Sequence, residues 1–426
     1  MVPGGCSSWS VDDVRMVSEV ERAVLAAVDD ERIVEDLQEL VRIPSVDGTA
    51  AETDVQTWCA ERLSALGLLV DNWRIDIPTL AADPEFPGME VTRDEAWGCV
   101  GRLGRDGTPG LILNGHVDVV PATGDAFSAR VEDGVMWGRG TCDMKGGVAA
   151  FLGAVAAIVA AGIQLRKPLA VHTVIGEEDG GVGAFATLRR GHGGTACLIA
   201  EPTAGCVIPA NSGSLTFRLE VPGLATHGST RSRGVSAIEK FVLIQDALQA
   251  LETSRNQEPH PLLAHLDLPN PLSVGTVRAG DWASTVPDLL IAEGRYGVRL
   301  GEPLADARAA FESAIADACA KDDWLRDHPV AVTWPGGEFA SGVLPDGDPL
   351  LAQTLAAATD AGAVTPDVKG APYGSDLRLY AAAGIPTLQY GPGDVRYAHA
   401  ADEHVVLAEV LHAARAYALL AVRRCA

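Results

Sequence analysis

Residues 110–121 read Gly-Leu-Ile-Leu-Asn-Gly-His-Val-Asp-Val-Val-Pro. Three bulky aliphatic residues run without a break toward a polar pair, His116 and Asp118. A short uninterrupted apolar run of this kind predicts a strand buried on both faces. Side chains two apart on extended backbone share a face, so the imidazole and the carboxylate should project together. The pattern then recurs. Residues 169–175 form a second apolar run that delivers Glu177 and Glu178, and residues 196–200 form a third that delivers Glu201. Between them lie helical segments, an Ala- and Val-rich run after Gly146 and one carrying Phe185 and Leu188. Strands alternating with helices predict an α/β domain on a mostly parallel sheet with helices on both faces. In such sheets ligands bind beyond the carboxyl ends of the strands, where this histidine and these acids fall.

Toward the N-terminus, residues 31–42 set Ile33, Leu37, Leu40 and Val41 at helical spacing before Pro44, and residues 52–66 predict a second helix closed by Gly67. Around Asn211 the character changes. Residues 215–221 alternate like a half-exposed strand, followed by a helix over 235–251, strands over 272–277 and 289–298, and a helix over 303–320. Two helices with a few strands make an α+β layer of about 120 residues, a normal domain size. From Gly336 the helix, strand and helix pattern returns, ending in an amphipathic helix through Leu407, Val410, Leu411 and Ala414. The expected organisation is a catalytic domain in two parts, 1–210 and 336–426, with an inserted α+β domain over 211–335.

Composition narrows the partners. The chain has 426 residues, 47% of them hydrophobic, enough for a large core and more than one domain. A formal charge of −24 argues against nucleic acid or an anionic membrane, which require a basic surface. The most membrane-like run, 146–162, is short of the roughly 20 residues of a span and is flanked by Lys145 and Arg166, so a buried helix is expected. Residues 1–30 are polar and acidic, without the basic start and apolar centre of a signal peptide. Cys6, Cys59, Cys99, Cys142, Cys197, Cys206, Cys319 and Cys425 show no CxxC spacing. Reduced thiols in a cytoplasmic protein are expected.

Two further positions join the acidic strand ends. Asp143 sits in the glycine-rich turn before the Ala-rich helix, and His399 lies far downstream. Taken singly, each feature is ordinary: His116–Asp118 as a structural hydrogen bond, Asp143 as a helix N-cap, Glu177-Glu178 as a solvated turn. Three acidic strand ends in succession are hard to reach by chance. The inventory suits a pair of divalent metal ions sharing one carboxylate, with an acid left to handle protons. Asp118 is the candidate to orient His116, since a metal-binding histidine usually gives its other ring nitrogen to a carboxylate. Cys142 neighbours Asp143 and is read as packing.

The stretches GHVDVVP (115–121), GRGTCDMKGG (138–147), GEEDGG (176–181), AEPT (200–203) and YAHAADEHV (397–405) resemble, in order, the successive motifs of a dinuclear metallohydrolase family. That family contains acetylornithine deacetylase, succinyl-diaminopimelate desuccinylase, aminoacylase and carboxypeptidase G. The resemblance implies that His116, Asp143 and Glu201 bind one ion and that Asp143, Glu178 and His399 bind the other, with Asp143 bridging. It implies Glu177 as general base, Asp118 as orienting residue and a cis peptide between Asp143 and Met144. Three carboxylates against four positive charges would leave the cluster cationic and able to acidify a water, whose proton Glu177 would take and return to the leaving amine. Zn²⁺ is the expected metal, with Co²⁺ or Mn²⁺ as alternatives.

The same resemblance singles out His227, in Gly-Leu-Ala-Thr-His-Gly-Ser, as a lid histidine that stabilises the oxyanion, often in the partner subunit's site. Where the family commonly has an asparagine in a later lid motif, this chain has Ser284, which leaves the polar contact there in doubt. Arg378 is a candidate for the substrate's carboxylate, through its bidentate fork, or for an ion pair with Asp376. Gly391 and Gly393 could bring backbone close to the substrate. The implied protein is a cytoplasmic metal-dependent deacylase of small N-acyl amino acids, homodimeric through the lid domain, without nucleic-acid or membrane partners. A dipeptidase or carboxypeptidase is the alternative within that chemistry, and a non-catalytic scaffold the alternative outside it.

Overall fold

The computed structural model describes residues 17–362 and 364–426. In it the buried aliphatic runs form the centre of a nine-stranded sheet. Leu111–His116 lies between Leu169–Val174 and Cys197–Ile199, parallel to both, and Thr387–Gln389 continues the parallel set beyond Cys197–Ile199. All four strands are buried along their whole length. Toward the margins the pairing turns antiparallel, through Trp97–Leu103 and Leu69–Arg74 on one side and through Val207–Asn211 and Gly342–Val343 on the other. Val368–Ala371 runs parallel beside Val207–Asn211. The sheet is thus mixed, with the expected parallel order at its centre, where both faces are covered.

Register partners show which helices cover which face. Gly115 pairs with Thr173 and Asn114 with His172. Gln56 of helix Ala51–Ala65 accepts from the Thr173 hydroxyl at 3.0 Å, and Val148 and Phe151 of Gly146–Ala160 crowd Gly115. On the other face the Tyr380 hydroxyl, on helix Leu377–Ala382, donates to Asn114 at 2.9 Å, and Gly183 of Val182–Arg189 abuts Val174 and Ile175. Helix Gly146–Ala160 is apolar nearly all round because it is buried nearly all round. The segment Thr141–Ala160 is long and apolar enough to cross a membrane by composition, yet 83% of its apolar window is buried inside the protein.

From Val207–Asn211 the chain passes through Ser212 into Gly213–Pro222, the middle of a second, antiparallel sheet. Leu272–Ala279, Leu289–Val298 and Ala331–Thr333 complete its ladder, with Glu338–Phe339 beside Gly213–Pro222. Alternate residues Leu215, Phe217, Leu219 and Val221 are buried with Ile244, Leu248, Phe311 and Ile315 from helices Ala237–Arg255 and Leu304–Ala320, in a core of their own. A three-stranded ribbon joins distant parts of the larger unit: His404–Val406 pairs with Val135–Trp137, which pairs with Arg130–Glu132. That ribbon brings the C-terminal motif beside the turn carrying Asp143.

Candidate metal centre

His116 closes its strand, and the parallel ladder continues one step past it through the 2.9 Å bond from Val117 N–H to the Val174 carbonyl. The imidazole is buried. Its Nδ1 lies 3.1 Å from the Asp118 carbonyl oxygen and 3.7 Å from the Asp118 carboxylate. The backbone is therefore the nearer partner of the ring. The Asp118 carboxylate has a second contact, accepting from the Glu178 N–H at 3.2 Å.

Asp143 lies in the turn Thr141–Lys145, and its peptide bond to Met144 is cis. The helix that follows has Lys145 at its N-cap and no side-chain cap, so Asp143 is not capping it. Instead its Oδ1 approaches His116 Nε2 at 3.1 Å, while Oδ2 lies 3.6 Å from His399 Nε2. His399 Nε2 also meets Glu178 Oε1 at 3.0 Å. Two groups of donors lie close enough to hold a cation: His116, Glu177 and Glu201, and His116, Asp143 and Glu178. Glu201 is fixed by its backbone. The Ala200 carbonyl before it sits where a Cβ on Gly147 would come within 2.1 Å and one on Gly391 within 2.4 Å. Only glycine allows the helix start and the 391–393 turn to close on that peptide.

The electrostatics follow from crowding. Burial, and then the charge of Glu201, hold Glu177 well above the usual carboxylate range. Glu201 and Glu178 are raised in the same way, by burial and then by Asp143. Burial would lower His116, but the surrounding carboxylates, Asp118 foremost, outweigh it and raise its pKa. His399 is raised mainly by its bond to Glu178.

The other sequence candidates occupy different surroundings. His227 is exposed in a short ribbon with Thr285–Val286, its Nδ1 2.7 Å from the Ser229 hydroxyl. The Ser284 carbonyl accepts from Gly228 N–H at 2.6 Å, so these two segments of the inserted unit are neighbours. Among the described residues no hydrogen bond joins either to the carboxylate cluster. Arg378 is buried, its terminal nitrogens donating at 2.7 Å to the carbonyls of Ser375 and Gly180 and its plane over Phe339. Gly391 and Gly393 face protein, the latter against Cys142 Sγ. Cys142 donates to the Asp394 carbonyl at 3.3 Å. The seven described cysteines are free, and Cys6 lies outside the described residues.

Three further polar groups have surroundings that the sequence does not foretell. Glu403 is buried against the Asp143 turn. Asp376 is buried with both carboxylate oxygens unpartnered. Arg295, on strand Leu289–Val298, donates to the Pro372 carbonyl at 3.1 Å and has no acidic partner among the described residues. Glu403 stands within the YAHAADEHV stretch, but an acid in a loop ordinarily signals solvent.

Known proteins resemble this chain along most of its length. The family model described as Peptidase family M20/M25/M40 matches residues 112–423. A succinyl-diaminopimelate desuccinylase of Gluconacetobacter diazotrophicus is 31% identical over 348 residues, covering 74% of this chain and 81% of that one. An N-formyl-4-amino-5-aminomethyl-2-methylpyrimidine deformylase of Halalkalibacterium halodurans is 28% identical, covering 91% and 93%. The crystal structure of human carnosine dipeptidase 1 superposes with a TM-score of 0.74 over 96% of this chain and 99% of that one, at 16% identity, a likeness of fold.

Proposed function

Because the chain belongs to peptidase family M20/M25/M40, a family of metal-dependent hydrolases, we propose that it removes the acyl group from a small N-acyl amino acid. The observation that carries this is the convergence of His116, Asp143, Glu177, Glu178 and Glu201, with His399 against Glu178. Carboxylate oxygens and imidazole nitrogens are the ligands zinc takes. Buried acids that raise one another's pKa are the surroundings that bound cations relieve. One ion would be held by His116, Asp143 and Glu201 and the other by Asp143, Glu178 and His399. Zn²⁺ is the proposed metal, and Co²⁺ or Mn²⁺ could use the same donors. When bound, the ions supply Lewis acidity to an amide carbonyl and lower the pKa of a water to about 7.

The chain's own groups do the rest. Glu177 takes the water's proton on its carboxylate and returns it to the leaving amine nitrogen. Asp118 holds His116 through its carbonyl and Glu178 through its carboxylate. His227 donates to the substrate's carbonyl oxygen as negative charge develops there, reaching it by lid movement or across a dimer. Ser284 lies beside it for a polar contact, and the turn at Gly391 and Gly393 packs on the Ala200–Glu201 backbone and on Cys142, which would set backbone close to a substrate held at Glu201. Arg295, unpaired and spanning from the lid to the 372–376 loop, is offered for the substrate's carboxylate. Arg378 braces the Gly180 turn from behind. The deformylase and desuccinylase relatives support acyl removal over dipeptide cleavage. We place the protein in the cytoplasm as a homodimer formed through the lid unit, residues 211–335.

Protein loaded with Zn²⁺ or Co²⁺ is to be assayed against N-formyl, N-acetyl and N-succinyl amino acids and against dipeptides. Chelator-sensitive hydrolysis is expected, strongest on an N-acyl amino acid. A preference for dipeptides would transfer the assignment to a dipeptidase, and no chelator-sensitive turnover on any of them would leave a non-catalytic protein.

A further inference from the structure

Asp143 and His399 come from loops some 260 residues apart, and one buried ion pair joins those loops. We propose that Arg139 and Glu403 are positioning residues that hold Asp143 and His399 in register for the second cation. This rests on the two-ion assignment above.

Glu403 and Arg139 are 3% and 6% exposed. One carboxylate oxygen of Glu403 accepts from three backbone N–H groups of the aspartate turn, Gly140 at 2.8 Å, Cys142 at 3.1 Å and Asp143 at 3.2 Å. Its other oxygen pairs with Arg139 Nη1. The remaining arm of the guanidinium, Nη2, donates to the His399 carbonyl at 3.1 Å. Arg139 thus forks between the acid that shapes the Asp143 turn and the backbone of the histidine facing it. The ribbon supplies the frame, since Gly138 N–H donates to the Glu403 carbonyl at 2.9 Å beside the His404–Trp137 pair.

His399 needs such a hold. Its φ is +61°, a left-handed conformation that residues other than glycine seldom adopt. Its side chain is 51% exposed, so packing does not fix the ring. Anchoring the carbonyl sets the backbone, and the backbone aims Nε2 at Glu178 and Asp143. A lysine at 139 would keep a charge for Glu403 but would lack the planar fork that meets two acceptors at once. Glutamine at 403 would keep an acceptor for the N–H groups and lose the ion pair.

The test is stepwise Co²⁺ titration of the metal-free full chain, followed by calorimetry and visible absorption, on wild type, Arg139→Lys and Glu403→Gln. Wild type should take two ions. Both variants keep an acceptor for the Asp143 turn, which serves both ions, and release the His399 backbone, which serves one. The first ion should therefore bind as in wild type and the second about 10–100-fold more weakly, the usual effect of removing an outer support, with the second ion's absorption delayed to match. The melting temperature of the metal-free protein should fall in both variants, since each disrupts a buried ion pair, so the selective weakening of the second ion is the reading that decides. Equal weakening of both ions, or no weakening of the second, would overturn the proposal while leaving the two-ion assignment intact. A wild type that binds one ion would overturn the two-ion assignment itself, and the proposal with it. Glu403→Gln decides alone if Arg139→Lys fails to fold.

Discussion

Glu177 and Glu178 are consecutive and both lie near His116, yet their other neighbours differ. Glu177 shares its space with His116 and Glu201, whereas Glu178 meets His399 and has Asp143 close by. The carboxylate nearest in effect is Glu201 for one and Asp143 for the other, so a base and a ligand can sit side by side without competing for one position. Glu177→Gln should therefore keep both ions and lose about 10²–10⁴ of kcat, the usual worth of a positioned general base. Glu178→Gln should instead lose an ion. Metal analysis beside single-turnover kinetics separates them; the opposite result would exchange the two assignments. These residues are legible in the sequence because an acid that closes a buried apolar run is costly unless a partner or a cation compensates it. Asp376 and Glu403 are not legible, because nothing local marks an acid in a loop as buried.

The turn that carries both glutamates is held as an element. Arg93 is fully buried and donates to Glu52 at 2.9 Å, Asp179 at 2.7 Å and Asp47 at 2.9 Å. It thereby ties the 176–181 turn to helix Ala51–Ala65 and to the loop before it. The acids outnumber the guanidinium. Burial, and then Asp118, push Asp47 up to about 10, and burial pushes Glu52 up to about 7 despite Arg93. Removing the cation leaves whichever of these acids is charged without compensation, a change that typically costs 3–5 kcal/mol. Arg93→Met should lower unfolding stability by about that much in urea titrations of the metal-free chain. A loss below about 1 kcal/mol would mean that protonated acids fill the gap among themselves. Sequence patterns foretell the central strands and the long helices, whose apolar spacing is local. They miss Leu69–Arg74, where exposed and half-buried residues form no continuous run, and they miss the Arg93 knot, whose members meet only in three dimensions.

At the scale of the molecule, the proposal to test is that His227 of the inserted unit serves a carboxylate cluster. The change of pattern at Asn211 is visible in the sequence because a half-exposed strand alternates and a fully buried one does not. The orientation of His227 cannot be read that way, since it depends on how the unit sits or on a second copy. In this conformation His227 is exposed, and among the described residues its ring bonds only Ser229 of its own turn. Helix Ala237–Arg255 shows Ile238 and Val242 four apart on one exposed face, with Leu243 beside them, and an apolar stripe of that kind suits an interface. If the stripe pairs two copies and His227 serves the partner's cluster, two inactive variants can repair each other. Mixed after reversible dissociation, His227→Ala and Glu177→Gln chains form heterodimers in which one site has both an intact Glu177 and an intact His227. Random pairing then makes about a quarter of all sites competent. Recovery toward a quarter of wild-type activity is expected, rising with time of mixing. If His227 acts within its own chain, every site in every dimer lacks one group, and the mixture stays as inactive as its parts.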